Sequence, residues 1–439
     1  MGVTGELEKA EGLLASGDIP GLLRYLRADG EALPLGEVAR LVARAARLAG
    51  FDDLAQAAAA AEGGDGAGTG DVQALYDFGY ACTERGAGYL AVRPLARALE
   101  LAPGAAAVLT ELVTALEQDG QHARAVTVLE EHESVMHMRW LPRFQYVYNA
   151  LMAGDLDKAV EGFGRLPEPE DTAWAPAREK VRRILARAGT ARAVTSLGRQ
   201  DLRGWHYVLT GGVLATLSPY GFSAMTGRWA YLGDSAGGCA AALHRLRLIL
   251  DAAGTAPEAV ALLPDRSSRI LGAAAAAVLG LPTTDFDPAK PAANCLVVAY
   301  DLTRTDPDTV TALRERAPGQ VLFERATRWT DPSRVTADVS GLLAQTVVAP
   351  WAGQMRRFDD GTVGQGPADD RPAEAVAAEI ARTVPAPDEG DGGTPPDPDQ
   401  GLRRFVDAVT APGTRDGGWL SGIREYIPDA GPVPSSRFL

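Results

Sequence analysis

The sequence predicts a multidomain protein of mixed α + α/β class. An all-helical half ends near residue 195, and a mostly parallel α/β sheet domain follows it. Three observations carry that prediction. Alanine, leucine, arginine and glutamate dominate the first 195 residues, and apolar positions recur there at three- and four-residue steps. Twelve positions in that half repeat at intervals of 34 residues. From about residue 200 the pattern changes to short apolar runs alternating with helical stretches of ten or more residues.

The 34-residue register contains Gly86, Gly120 and Gly154, and likewise Ala91, Ala125 and Ala159. Phe78, Leu112 and Tyr146 keep the same step, as do Leu95, Leu129 and Phe163. The unit "LYDFGYACTERGAGYLAVRPLARALELAP" places Leu75, Phe78 and Gly79 on a first helix, with Ala91, Leu95, Ala98 and Pro103 following. This unit resembles the tetratricopeptide repeat (TPR). In such repeats, small residues let the two helices of a unit approach and bulky ones fill the groove of the next. Later units lack the counterparts of Gly79 and Pro103. Residues 71–195 are thus expected to form repeats. Residues 1–70 are expected to form degenerate repeats or a helical cap, separated from them by the flexible "EGGDGAGTGD".

Residues 200–351 read as the α/β domain. Its apolar runs are "WHYVLTGGVLATL", "RWAYLG", "AVALLPD", "NCLVVAYDL" and "QVLFERA". Helices are expected from Ser235 to Ala253, over "RILGAAAAAVLGLP" and "TVTALRERA", and from Ser333 to Thr346. Ligands of such sheets bind at the carboxyl ends of the strands. Residues 352–439 read as a flexible acidic linker rich in Pro and Gly, with a short helix at Leu402–Val409 and an aromatic tail. That tail either docks back on its own chain or engages a partner, and self-docking is the commoner fate of an apolar segment.

Charge and composition exclude several classes. A net charge of −14 disfavours wrapping nucleic acid. Only four of the 43 basic residues are lysines, and alanine is abundant; both point to a GC-rich bacterial coding genome. Cys82, Cys239 and Cys295 lie far apart and form no CxxC pair, as expected of buried thiols in a reducing compartment. No basic-then-apolar leader and no run of eighteen apolar residues occurs, so a cytoplasmic protein without a membrane partner is expected.

"GDSAGG" at Gly233–Gly238 has the strand–turn–helix setting of a serine-hydrolase elbow. Its partners are missing. Of five histidines only His244 follows Ser235, nine residues along the same helix, or about 13 Å away. Ser235 or Asp234 reads instead as a helix cap, or the helix start as an anion site. "HESVMH" sets His132 and His137 five residues apart, which turns them roughly 140° from each other on a helix, so no metal site is expected.

The better candidate spans "VALLPDRSSRILGAAAAAVLGLP" and "NCLVVAYDLTRTDPDTV". Together these resemble the type I phosphoribosyltransferase fold. The resemblance makes Arg266, Ser267, Ser268 and Arg269 a pyrophosphate loop, and Asp301, Thr303 and Thr305 the sugar-phosphate strand and loop, with Asp301 the candidate catalytic residue. Tyr300 stands where the family has a first acid, and Asp306 where it has a glycine; Pro307 and Asp308 follow. Two carboxylates in a phosphate cradle repel the ligand, and Pro307 removes an amide donor. No cofactor is evident, and magnesium would enter only with a live phosphoribosyl-type site. The arginines of the first loop either bind an anion bidentately or pair with Asp265, Asp285 and Asp287.

These readings favour an interaction protein, scaffold or regulator, with a protein or peptide partner on the concave face of the repeats. The degenerate α/β domain would then bind a phosphorylated small molecule or serve as a platform. The alternative is an enzyme of a specialised bacterial pathway, with transferase-like chemistry in the α/β domain on a substrate held by the repeats.

Overall fold

The computed structural model describes residues 3–63, 71–218, 225–385, 396–411, 418–425 and 431–435. Most of the glycine-rich "EGGDGAGTGD", part of the acidic linker and parts of the aromatic tail lie outside the described residues. The chain forms two units, Met1–Arg178 and Glu179–Leu439. Residues 179–195, grouped by sequence with the repeats, fall in the second unit.

The first unit is helical. Its helices are α1 (Val3–Ala15), α2 (Ile19–Asp29), α3 (Leu35–Ala49), α4 (Asp52–Ala60), α5 (Val72–Thr83) and α6 (Gly88–Leu101). After them come α7 (Ala106–Gln118), α8 (His122–Glu131), the single turn α9 (Glu133–Met136), α10 (Trp140–Ala153) and α11 (Leu156–Arg165). Helices α5, α7 and α10 begin at residues 72, 106 and 140, and α6, α8 and α11 at 88, 122 and 156, a step of 34 in both series. Between the members of each pair, Gly86, Gly120 and Gly154 turn the chain with φ of +67°, +69° and +86°, a left-handed conformation that only glycine adopts without steric cost.

Close packing explains the small positions. A Cβ on Gly88 would lie 2.5 Å from the Ala115 carbonyl oxygen, and one on Gly79 2.4 Å from Leu95 Cγ. Ala91, Ala125 and Ala159 are wholly buried, as are Leu95 and Leu129. One continuous apolar cluster runs from Ala10 to Met136. Polar bonds join successive first helices side by side. Thr83 bonds Glu111, and Gln145 Nε2 donates to Thr114 Oγ1 at 3.3 Å. Asn149 Nδ2 donates to Glu117 Oε1 at 2.6 Å.

The second unit begins in α12 (Ala175–Ala191), which spans the division, and continues with α13 (Leu202–Thr210), β1 (Val213–Leu214), β2 (Trp229–Gly233) and α14 (Ala236–Ala252). Next come β3 (Ala259–Leu262), α15 (Arg266–Leu279), β4 (Thr283–Asp285), β5 (Cys295–Ala299), α16 (Pro307–Ala312), β6 (Val321–Arg328) and β7 (Val339–Val348). A hairpin of β8 (Met355–Arg357) and β9 (Val363–Gln365), then α17 (Ala373–Arg382) and α18 (Asp399–Val409), complete it. The main sheet runs β1-β7-β6-β5-β3-β4, and β2 also pairs with β7. All of its pairings are parallel. Strands β1 and β2 lie beside successive stretches of β7, with Val213 opposite Val339 and Trp229 opposite Ala344. Cys295, Val297 and Ala299 of β5 pack with Val310 and Leu313. On the opposite face, Gly272 of α15 approaches Val298 and Val260. Strands buried on both faces read as unbroken apolar runs.

Two stretches differ from their sequence patterns. The stretch 333–346, expected as a helix, contains the start of strand β7. Its apolar run carries no period that separates a buried strand from a buried helix. Part of "WHYVLTGGVLATL" is helix α13, closed by Gly211 at φ +79°. Within 352–439, α17 buries Val376, Ala377 and Ile380, and α18 buries Leu402, Phe405, Val406 and Val409.

Buried ion pairs fasten the carboxyl-terminal segments to this unit. Asp397 meets Arg203 and Arg245, each at 2.7 Å. Arg424 Nη2 lies 2.8 Å from Asp338 Oδ2, and Arg316 holds the other carboxylate oxygen at 2.5 Å. Trp419 Nε1 donates to the Asp338 carbonyl at 3.0 Å, and Val433 is buried. The described parts of the aromatic tail thus dock on their own chain.

Candidate functional site

A cleft of about 470 Å³ opens where β3, β5 and β7 end. The parallel sheet explains its place, because the loops leaving those strands converge at their carboxyl ends. Asp265, Arg266 and Ser267 enter it from the start of α15, Tyr300, Asp301 and Arg304 from the loop after β5, and Val347, Val348 and Ala349 from the end of β7. Of the sequence candidates, Arg266, Ser267 and Asp301 therefore line one cavity.

Their bonds define what each can do. Arg266 Nη2 donates to the carbonyls of Asp369 and Arg371 at 2.8 and 2.9 Å. Ser267 Oγ accepts from Trp351 Nε1 at 2.9 Å. Ser268 is wholly buried: its amide donates to the capping carboxylate of Asp265 at 2.9 Å, and its Oγ accepts from the Tyr300 amide at 3.0 Å. Arg269 turns aside to Asp285 at 2.6 Å. Thr303 is exposed and donates through both amide and hydroxyl to Asp301 Oδ1, at 3.1 and 2.6 Å. Thr305 is buried, its hydroxyl 3.5 Å from Asp265 Oδ2. Ser268, Arg269, Thr303 and Thr305 do not line the cleft.

Asp301 is the most constrained of these groups. Its Oδ2 accepts from Arg328 Nε at 3.0 Å and pairs with Nη2 at 2.9 Å, while Thr303 occupies Oδ1. Both oxygens of this buried carboxylate are engaged by the protein, so the residue does not fit a role as a magnesium ligand or as a binder of sugar hydroxyls. The loop after it is also filled from within. Asp306 caps α16, accepting from the amides of Asp308 and Thr309 at 3.2 Å each and from the Thr309 hydroxyl at 2.8 Å. That hydroxyl, followed by the two amides, holds the Asp306 carboxyl below its usual range. A phosphate would have to displace this carboxylate.

Beneath the cleft lies a buried polar cluster. Asp234 Oδ1 accepts from Arg325 Nη2 at 2.7 Å and Oδ2 from the Tyr300 hydroxyl at 3.0 Å. Burial and the Asp234 charge push the Tyr300 phenol well above its usual value. Ser235 is the cap of α14, its Oγ accepting from the Gly238 amide at 3.0 Å, and His244 bonds Asp399 at 3.0 Å instead. The "GDSAGG" turn therefore has a structural use that needs no nucleophile.

No protein-family model and no curated protein matches this chain.

Among the described residues, no three His, Cys, Asp or Glu side chains are grouped to hold a metal ion, and no helix is long and apolar enough to cross a membrane. Sequence reasoning missed Arg304, Arg328 and Trp351 as parts of this region. Arg304 is exposed, lines the cleft, and has no side-chain partner among the described residues. It could have been found, because it stands between two residues already singled out. Arg328 and Trp351 come from strands and loops far along the chain, and nothing local marks them.

Proposed function

We propose that this chain is an interaction protein whose helical unit, of tetratricopeptide type, holds a peptide or an extended segment of a partner protein. One observation carries the reading: α5, α7 and α10 recur at a fixed 34-residue step and are bonded side by side. The same turn of each therefore contributes to one shared face, an arrangement suited to gripping an extended chain. A selection from a fully randomised peptide library against the full-length protein tests it. Enriched peptides are expected, and their affinity falls at least tenfold in the Tyr80→Ala/Phe144→Ala variant. No enrichment, or binders indifferent to that variant, would refute the reading.

The second unit is proposed as a phosphoribosyltransferase-like fold retained without its ancestral transfer chemistry. In support, β3 leads through a loop and α15 to the edge strand β4, and β5 returns beside β3 with Asp301 just beyond its end. The engaged Asp301 and the self-capped Asp306 weigh against the enzyme alternative. The cleft keeps Arg304 and Arg266 for a small phosphorylated molecule. Thermal unfolding with inorganic pyrophosphate decides between a binding site and a platform. A ligand at a hundred times its dissociation constant stabilises by about 2.7 kcal/mol, a rise of a few degrees. That rise is expected with or without magnesium and is lost in Arg304→Ala; no rise with the wild type leaves the unit as a platform.

A further inference from the structure

We propose that the shared face of α5, α7 and α10 takes a basic segment, with arginine or lysine side chains lying against its aromatic rings and over its carboxylates. The inference rests on the peptide-binding reading and names the chemistry of the peptide. It begins with what stands at equivalent positions. Tyr76 and Tyr80 on α5 correspond in the 34-residue register to Thr110 and Thr114 on α7, and to Phe144 and Tyr148 on α10. The residues within each helix are four apart, which puts them on the same side one turn apart. Tyr76 and Tyr80 stack with centroids 6.0 Å apart, and Phe144 stacks on Tyr148 at 6.3 Å. Trp140 extends the second stack at 5.1 Å. Threonines are small, so the middle helix forms a floor between two aromatic walls. Neighbouring helices lie 8–10 Å apart, so the walls stand roughly 16–20 Å apart, enough for an extended strand with its side chains.

Charge decides what that strand carries. Helices α5 and α7 contain no lysine or arginine, but they contain Asp77, Glu111 and Glu117, and Glu84 follows α5 directly. Burial, with the Glu84 charge adding to it, pushes the half-buried Glu111 carboxyl above its usual value. A cation placed there would relieve that strain. The one basic residue of α10, Arg143, donates to the His137 carbonyl and occupies the register position of the buried Leu75 and Leu109.

The unit's other aromatic rings supply an independent observation. Four of them are covered by cations of the chain itself: Lys9 over Tyr25 at 4.6 Å, Arg27 over Tyr89 at 5.0 Å, Arg85 over Phe51 at 5.6 Å, and Arg178 over Phe163 at 5.0 Å. Among the described residues no cation covers Tyr76, Tyr80 or Phe144, although Tyr80 is 44 % exposed. Rings of this kind attract guanidinium and ammonium groups, and arginine adds planar stacking. The face therefore has the uncovered rings of Tyr76, Tyr80 and Phe144 beside the carboxylates of Asp77, Glu84 and Glu111, which make no ion pair among the described residues, and a basic strand supplies both.

The test uses the full-length protein, immobilised, and three pools of twelve-residue peptides. One pool has arginine at every third position and random residues elsewhere. The second has citrulline, the uncharged isostere, at those positions, and the third has glutamate. The arginine pool is expected to be retained at least tenfold better than either other pool. That preference falls at least tenfold in Asp77→Lys/Glu84→Lys, two exposed positions where the fold tolerates charge reversal, and in Tyr80→Ala. Equal retention of arginine and citrulline pools would overturn the inference while leaving peptide binding intact. Retention of the arginine pool unchanged by the variants would place the binding elsewhere on this acidic chain and also overturn it. Failure to retain any pool, with no binders from the random selection, would remove both readings together.

Discussion

Replacing Asp338 with alanine is expected to cost about 3–5 kcal/mol of stability, the usual loss when one partner of a buried ion network is removed. Arg424 is 1 % exposed in its side chain, and Asp338 3 %. The carboxylate accepts Arg424 Nε at 3.0 Å and Nη2 at 2.8 Å through Oδ2, which also takes the Leu322 amide at 2.8 Å. Without it, the wholly buried Arg424 guanidinium is left without a counter-charge, and the partly exposed Arg316 loses its carboxylate. Burial by itself would raise the Asp338 carboxyl, but Arg424 and Arg316 outweigh it and hold the value below the usual range. A carboxyl depressed on folding contributes stability above its unfolded value, and that stability is lost as the pH falls through its folded value. Urea denaturation should show the loss at neutral pH, with a smaller one for Arg424→Leu, where Arg316 still faces Asp338. Because Arg424 is the chief anchor of the 418–425 segment, proteolysis in the tail of Asp338→Ala should precede global unfolding. A midpoint for Asp338→Ala close to that of the wild type would contradict this account.

Glu324 is expected to act in the opposite sense. It is buried on β6, accepting the Leu302 amide at 2.7 Å through Oε1, and its other oxygen meets the Thr327 hydroxyl. Burial first, and the neighbouring Asp301 charge after it, push the carboxyl up to about 8. The folded protein thus holds a proton that the unfolded chain releases near the ordinary carboxyl value. Stability from this group is complete below about 4.5 and is lost as the pH rises to about 8. The whole window is worth about 5 kcal/mol, at about 1.36 kcal/mol per unit. His206, which burial and Arg228 lower to about 4, contributes the other way, and only below its unfolded value of 6.5. Between pH ~6.5 and ~8 the Glu324 term therefore stands clear of it, and the wild type should lose about 2 kcal/mol. Glu324→Gln keeps both hydrogen bonds, since its amide group donates to Thr327 and its oxygen still accepts from Leu302. Its stability should be flat over that interval, and an equal slope in both proteins would refute the assignment.

Much of the first unit could be read without coordinates because the packing of successive helical hairpins is local. Each turn glycine, buried alanine and filling leucine contacts a residue fewer than about 40 positions away, so the period of the fold appears as a period in the chain. The earlier hairpins, expected only as degenerate repeats or a cap, keep the period less well. Gly17 and Gly50 turn the chain between α1 and α2 and between α3 and α4, both with positive φ. Their spacings of 33 and 36 residues break the register. Tyr76, Tyr80, Phe144 and Tyr148 are plain in the sequence, but only the bonds between α5, α7 and α10 show that the helices carrying them lie side by side.

Contacts within a few positions make the 34-residue helical repeat, the change to alternating strands and helices near residue 200, and the helix cap at Ser235 legible in the sequence, whereas the caps at Asp265 and Asp306 emerge only from the fold. The tertiary structure alone decided the rest. Strand β7 adopts the extended state because its backbone lies between β6 and the β1/β2 edge, where a Cβ on Gly341 would come within 2.5 Å of the Arg325 carbonyl oxygen. Asp301 is engaged rather than open because Arg328, 27 residues on, reaches it from the adjoining strand. The tail docks because Asp338 awaits Arg424 across 86 positions. A side chain's chemistry is written at its own position. Its availability depends on which distant charge the fold places beside it.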